Sequence, residues 1–499
     1  MNISKTTFQD YLFCPRNIWL KLHKPELLHE FALSNFEKHL VEQGNEVELC
    51  AHNLFPNAVE VAERDERGVK KTTELIAAKT PTIFQATFII DGFIARNDAL
   101  SWDSHSNSWS LYEVKGTNDI NEKENDHNHL DDLAFQAVVL RRAGIPVDKY
   151  YLVHLNREYV RSGELDYQEM LVAEDKTADI LLRLEEIEIK METAKSYLQN
   201  EKEPRLDDCK CIYRGRSGHC TTFKYSYPDV PEYSVHDIAR IGSSKKKLEA
   251  LIERGIYNIE NIPEDVTFSE IQNNQIDAHR SGKTHVKIDK LREELDALSY
   301  PLYFFDYETY APAVPQFDTY RPYQRIPFQF SLHILERPDG DLIHKEYLHT
   351  EMSDPTPEVA KRLEEWIGAK GTVIAWHKSF EAGVNKEIGE RLPKYRAVME
   401  HINNMLYDLE DVFKKQHYVH PNFHGSSSIK KVQPTLVPDL SYKDLEIHEG
   451  GQASSSWWTM VSPDTTPEES GEIAKNLLEY CGRDTYAMYV VWKELRKLL

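Results

Sequence analysis

Asp306 and Glu308 end the run Leu302-Tyr303-Phe304-Phe305-Asp306-Tyr307-Glu308-Thr309, which follows Pro301 and is otherwise mostly apolar. A buried strand that delivers acids to its end reads this way. Two residues apart on a strand, both carboxylates face one side. Side by side they repel unless a cation or a shared proton sits between them. The pair fits a divalent-cation site, or a strand that ends in solvent. A second set lies upstream, Asp98 followed by Glu113-Val114-Lys115. Two carboxylates can hold a magnesium ion through oxygen, and the ion activates a water. A lysine whose pKa burial has lowered can orient or deprotonate that water. Glu and Lys alternating on a strand also make an ordinary surface ion pair. A third set is Cys209, Cys211 and Cys220, three cysteines in twelve residues, with Cys14 able to supply a fourth thiolate. Such a set holds an iron–sulfur cluster or a zinc ion, and with zinc His219 can stand in for a cysteine. The centre would be structural, tying the start of the chain to a point about 200 residues on. Cys50 and Cys481 are left over and read as small buried residues.

The elements that must position these groups follow from periodicity and breakers. A helix is expected over Phe8–Leu22, broken at Cys14-Pro15, and another through Phe36, Leu40, Val47 and Leu49, carrying Glu48. Strands are expected over Thr82–Ile90 and Phe93–Leu100, joined by the turn Asp91-Gly92, and over Trp109–Gly116. The helix His129–Leu140 carries Gln136, a strand follows over Lys149–Leu155, and a charged helix runs from Ala173 to Leu198. Between 222 and 300 the pattern is helical. It includes the run Ser243-Ser244-Lys245-Lys246-Lys247, which is either a solvated face or a phosphate contact. Later come strands over Phe328–Leu335, Asp341–Leu348 and Thr372–Trp376, then helices over Pro357–Ile367, from His377 and over Pro467–Val491. Tyr480 and Asp484, four apart, share a face of the last helix. His424–Lys431 reads as a loop opening a serine-capped helix, and Trp457-Trp458 as core or as a base-stacking surface.

The N-terminal arrangement of strand, strand with Glu-x-Lys, helix with Gln, and strand resembles the RecB-like branch of the PD-(D/E)xK nucleases. On that resemblance Asp98 and Glu113 bind metal, Lys115 is the catalytic lysine and Gln136 is the helical glutamine. Glu48 falls at the upstream metal ligand, where the family often has His, and Leu140 stands where it often has Tyr. Cys14 with Cys209, Cys211 and Cys220 resembles the iron–sulfur clasp of AddB-type and CRISPR-associated RecB-like nucleases. It implies a 4Fe-4S cluster, with Zn2+ as the alternative. The stretch 222–300 faintly resembles helix-hairpin-helix modules.

The last third resembles the DnaQ-like DEDD 3′–5′ exonucleases. Asp306 and Glu308 match the first motif, Glu381 the second, where the family usually has Asp, and Tyr480-x-x-x-Asp484 the third. The resemblance implies two-metal phosphodiester cleavage. Asp306, Glu308 and Asp484 would hold Mg2+ or Mn2+, Glu381 would contribute through its longer arm, and Tyr480 would orient the water. His377, Asp408 and Asp411 are nearby groups able to compensate for the longer arm of Glu381.

The expected fold class is α/β in three parts. These are a restriction-endonuclease-like PD-(D/E)xK domain over 1–221, a helical linker over 222–300, and an RNase H-like α/β domain over 301–499. The chain has 499 residues, 40% of them hydrophobic, and a formal charge of −22. That charge argues against loose coating of nucleic acid, but not against a nuclease, whose acidic site attracts phosphate only with metal bound. No apolar run approaches a membrane span, and Met1–Asp10 lacks a signal-peptide core, so no membrane partner and a cytoplasmic location are expected. The expected partner is nucleic acid, DNA rather than RNA on the RecB-like resemblance.

Overall fold

In a computed structural model the residues described are 1–30, 35–123, 127–440, 442 and 444–499. The fold is mixed α/β and divides into two compact units. The first comprises Met1–Ile212, His219–Pro228 and Pro312–Gln324, and the second Tyr213–Gly218, Asp229–Ala311 and Arg325–Leu499. Residues 222–300 are shared between the units, with the division after Pro228.

The first unit is built on a seven-stranded sheet of β1 (Ile3–Ser4), β2 (Val59–Glu60), β3 (Thr82–Ile90), β4 (Phe93–Asp103), β5 (Ser108–Val114), β6 (Val147–Leu155) and β7 (Leu171–Asp175). Its order is β2-β3-β4-β5-β6-β7, with β1 pairing to β4. Asp91 and Gly92 both have positive φ, which the tight turn between β3 and β4 requires. β4 and β5 run antiparallel, and β5 and β6 run parallel. The helix His129–Arg142 makes that crossover. It is buried almost all round, and Leu133, Phe135 and Val138 pack into the main core of the unit. Its Asn128 cap accepts the Leu130 N–H at 2.9 Å. The charged helix begins at Thr177, not at Ala173. Leu171–Asp175 instead pairs antiparallel with β6, and Asp175 stops the strand by accepting the Thr177 N–H at 2.9 Å. The N-terminal helical stretch is broken at Cys14 as expected, into Lys5–Phe13 and Pro15–His23, with Cys14 extended between them.

In the second unit β8 (His285–Val286) pairs, among the described residues, with β14 (Tyr418–Val419) alone. The main sheet holds β9 (Leu302–Tyr310), β10 (Ile326–Leu335), β11 (Leu342–Leu348), β12 (Thr372–Ala375) and β13 (Leu406–Asp408), in the order β11-β10-β9-β12-β13. β10 is antiparallel to both neighbours, while β9, β12 and β13 are parallel. The two-residue period of β9 splits its side chains between two cores. Tyr303, Phe305 and Tyr307 pack on one side with Val384 and Ile388. Leu302 and Phe304 pack on the other against Met488, Val491, Trp492 and Leu495 of the helix Pro467–Arg496. Asp306 and Glu308 continue this second face, so the strand aims them towards the C-terminal helix. No helix among the described residues is long and apolar enough to cross a membrane.

Candidate metal centres

The central strand of the second unit and its C-terminal helix bring their acids together. On the helix, Leu477, Tyr480, Cys481, Met488, Val491 and Leu495 are buried and form one stripe with Asp484. The apolar residues of that stripe anchor the helix, and its polar part faces the end of β9. One ligand atom from each of Asp306, Glu308 and Cys481 lies within 4.8 Å of the others. Cys481 is the small buried residue expected, and its sulfur lies within this group. Three residues before Asp484, it shares that acid's helical face. Glu381 stands in the first turn of the helix Ser379–Arg391, which follows β12, and is buried with its Oε2 lacking a hydrogen-bond partner.

All four acids are held above the usual carboxylate range. Burial is the main cause for Asp306, followed by the charge of Asp484. For Glu308 it is burial, then Asp306 and Asp484, and for Glu381 burial, then Asp306. Asp484 is raised by burial, against which Tyr442 and Lys430 work. The Tyr442 hydroxyl donates to Asp484 Oδ1 at 2.6 Å, and Lys430 Nζ reaches the Tyr480 hydroxyl at 3.4 Å. Tyr442 and Lys430 lie some 40–50 residues before Tyr480 and Asp484, so no local spacing signals them. An orphaned buried carboxylate oxygen and four acids raised by burial, three of them also by one another's charge, fit a hard divalent cation.

The neighbouring acids are engaged elsewhere. Asp408 accepts the His377 N–H at 3.0 Å and holds His377 in a left-handed backbone conformation, φ 70°. Glu410 receives the His377 ring at 3.2 Å, and Asp411 pairs with Lys415 at 2.9 Å. Trp457 is core, stacked on Phe328 with its Nε1 donating to the His349 carbonyl at 2.8 Å. Trp458 stacks on Tyr310. Ser428 precedes the helix Ile429–Leu436 without a side-chain cap, because the turn is closed instead by its own N–H donating to Ser426 Oγ at 3.2 Å.

In the first unit the Glu113 carboxylate is the hub. Lys115 Nζ is 2.9 Å from Glu113 Oε1 and also pairs with Asp132. Lys5 Nζ pairs with the same Glu113 oxygen, and Gln136 Nε2 donates to the other. Asn97 Nδ2 donates to Gln136 Oε1 at 2.6 Å. Asp98 accepts the Val114 N–H at 2.8 Å, and burial with the Glu113 charge pushes its carboxyl up to about 8, Lys5 opposing. Glu48, held by Gln85, is raised by burial, His52 opposing and the Glu113 charge adding. Burial opposes the ionisation of Glu113, yet Lys115 and Lys5 outweigh it and hold the group below its usual range.

Lys115 corrects one expectation. Burial works against its charge, but Glu113 and Asp132 outweigh burial and raise its pKa. Its ammonium is held between Glu113 and Asp132. The structure thus gathers Glu48, Asp98, Glu113, Lys115 and Gln136, and adds Asp132 and Lys5. Asp132 sits at i−4 from Gln136 on one helical face, a legible spacing, whereas Lys5 is 108 residues from Glu113. Among the described residues, Glu48, Asp98 and Glu113 are not a group whose ligand atoms come within 4.8 Å of one another. The position beside Glu113 already takes a cation, and that cation is Lys5.

Cys14, Cys209, Cys211 and Cys220 form the third centre. All four thiols are free and buried, and their sulfurs lie within 4.8 Å of one another. Cys14 Sγ to Cys209 Sγ is 3.8 Å, and Cys209 Sγ to Cys220 Sγ is 3.7 Å. Asn17, one turn after Cys14, accepts the Thr222 N–H and hydroxyl at 3.0 and 2.9 Å and fastens the helix to the loop that carries Cys220. His219 stacks on Phe223 at 3.5 Å between ring centroids. The group could hold a thiophilic metal.

Residues 303–428 match a family described as a domain of unknown function, DUF2779. No curated protein matches the chain at a significant level. The matched span contains Asp306, Glu308 and Glu381 and stops before Tyr480 and Asp484.

Proposed function

We propose that the protein is a metal-dependent nuclease with a DEDD-type 3′–5′ exonuclease site in its second unit and a PD-(D/E)xK site in its first. The observation that carries this is the set of buried acids linked by charge, Asp306 with Asp484, Glu308 with both, and Glu381 with Asp306, in which Glu381 Oε2 has no hydrogen-bond partner among the described residues. An antiparallel β9-β10-β11 meander followed by parallel β12 and β13 supports the RNase H-like, DnaQ-like reading. In this reading Asp306, Glu308, Glu381 and Asp484 hold Mg2+ or Mn2+. Such ions supply an activated water and neutralise charge on phosphate. Tyr442 fixes the rotamer of Asp484. Lys430 lies 3.4 Å from the Tyr480 hydroxyl and would add a positive charge for a phosphate.

In the first unit Asp98, Glu113 and Glu48 would hold the cation, and Gln136 and Lys115 fix the Glu113 carboxylate. Lys5 must give way for a metal to reach Glu113. That favours a second reading, in which only the DEDD-type site cleaves and the first unit binds nucleic acid. DNA is preferred to RNA on the RecB-like resemblance alone.

The thiol spacing supports a single tetrahedral zinc ion at the four-cysteine centre. Sulfurs about 2.3 Å from one ion stand about 3.8 Å apart. A 4Fe-4S cluster puts iron and sulfide between the thiolates and needs them wider.

The test is cleavage of end-labelled single- and double-stranded DNA and RNA with Mg2+ or Mn2+, with Glu113→Ala and Asp306→Ala alongside. Metal-dependent cleavage that both variants reduce supports two active sites. Loss with Asp306→Ala alone selects the second reading. No metal-dependent cleavage by any form overturns the enzyme reading.

A further inference from the structure

The second unit holds a cationic groove apart from its carboxylates. A cavity of about 950 Å³ is lined by Tyr213–Gly218, by the segment from His236 to Lys245, and by His424–Ser426. Its charged side chains are Arg214, Arg216, Arg240 and Lys245, against one acid, Asp237. In a chain of formal charge −22 such an excess of cations around one concavity calls for an anion.

The cations have different tasks. Arg216 builds the wall: its Nε donates to Asp237 Oδ1 at 2.8 Å, and its guanidinium also bonds the Glu232 carbonyl and Ser234. That spends the only carboxylate that lines the groove among the described residues. Arg240 and Lys245 are exposed, and among the described residues neither has a carboxylate partner. Lys245, Lys246 and Lys247 fill the first turn of the helix Lys245–Glu253, which has no acid there and no side-chain cap. Each cation at that end opposes the helix dipole by a few tenths of a kcal/mol, so the first turn lacks an anion to balance it. Gly215 and Gly242 approach so closely that a Cβ on Gly215 would meet the Gly242 nitrogen at 3.4 Å, leaving the floor as bare backbone. His424 is exposed and stacks on Tyr233 at 4.1 Å, adding a flat aromatic edge.

We infer that this groove binds the phosphodiester backbone of a nucleic-acid strand, with Arg240 and Lys245 contacting phosphates. Fixed cations and open backbone on a concave surface suit a chain of phosphates, whereas a run of lysines on a convex solvated face would not enclose one. The groove is a binding site and not a second catalytic one, because it carries no carboxylate free to hold a metal. The inference rests on the nuclease reading, since it takes the same substrate.

The experiment is fluorescence anisotropy of a 5′-labelled single strand, in EDTA so that nothing is cleaved, from low to moderate salt. It compares the full chain with Arg240→Gln/Lys245→Gln. The double variant should bind at least about 10-fold more weakly, and its log K against log salt should be shallower by about 1.4, at ~0.7 per lost contact. Unchanged affinity and slope in the double variant, with wild type binding, overturn the groove and leave the nuclease reading standing. A wild type that binds no strand and cleaves none overturns both. A wild type that cleaves but binds with no salt dependence overturns the groove alone. Should the double variant fail to fold, Lys245→Gln, at an exposed position, should lose about 0.7 of the slope, and an unchanged slope overturns the proposal.

Discussion

A buried carboxylate oxygen without a partner demands compensation, and among the described residues Glu381 Oε2 is such an atom, in a carboxyl that the Asp306 charge raises further. Removing Asp306 or Glu308 would take away a charge the proposed metals need, so Asp306→Ala should lower shortening of a strand from its 3′ end by at least about 100-fold, measured as initial rate at saturating Mn2+. The raised carboxyls set a pH dependence. Asp306, Glu308, Glu381 and Asp484 are all held above the normal range. Such carboxyls hold protons more tightly than free ones, and a metal bound there would displace them. Metal affinity should therefore strengthen as pH rises. Calorimetric titration of Mn2+ in two buffers of different ionisation enthalpy should show net proton release, and buffer-independent heats would contradict this.

In the first unit Lys5 pairs with Glu113, where the proposed metal would bind. Lys5→Met should destabilise the metal-free protein by about 1–3 kcal/mol, and Mg2+ should restore more stability to the variant than it adds to wild type. Equal Mg2+-induced shifts of the melting temperature would contradict that role. The legible residues were those with local spacing: Asp306 and Glu308 on one strand, Glu113 and Lys115 on another, Tyr480 and Asp484 on one helix. Lys5, Lys430 and Tyr442 were hidden because only tertiary folding brings them to the acids. The direction of the Lys115 shift was hidden for the same reason, since Asp132 is a partner from another element.

At the scale of elements, β9 does two things at once: its odd residues fill one core, and its even ones anchor the C-terminal helix and then present the acids. Periodicity gave this strand and the helices around it within a few residues. It failed at Leu171–Asp175, where a short apolar–acidic stretch suits either a helix start or a strand, and pairing with β6 decides. The junction of β9 and β12 depends on Gly371. Its φ is +120°, and a Cβ there would lie 2.4 Å from the Pro301 carbonyl oxygen. Thr372, the next residue, donates to that same oxygen at 3.0 Å. Gly371→Ala should cost about 2–4 kcal/mol, seen as a lower denaturation midpoint. A loss of activity below the melting range would show that the register of β9 against β12 sets the geometry of the acids.

For the whole molecule, the four cysteines come together across the 195 residues between Cys14 and Cys209, a set that residue type and count already suggested. Metal bound there adds its binding energy to folding of the first unit. Cys14→Ser, or removal of the metal by a strong chelator, should lower the unfolding transition of that unit, and metal analysis should find one zinc per chain. Iron with acid-labile sulfide in that amount would replace the zinc proposal by the cluster. The central claim, a metal-loaded exonuclease site in the second unit, is tested most directly by following a 5′-labelled strand with Mn2+ on a sequencing gel. The account predicts a ladder shortened one nucleotide at a time from the 3′ end, absent without metal and absent with Asp306→Ala. A strand that stays intact under wild type with Mn2+, or a ladder that persists in Asp306→Ala, would contradict it.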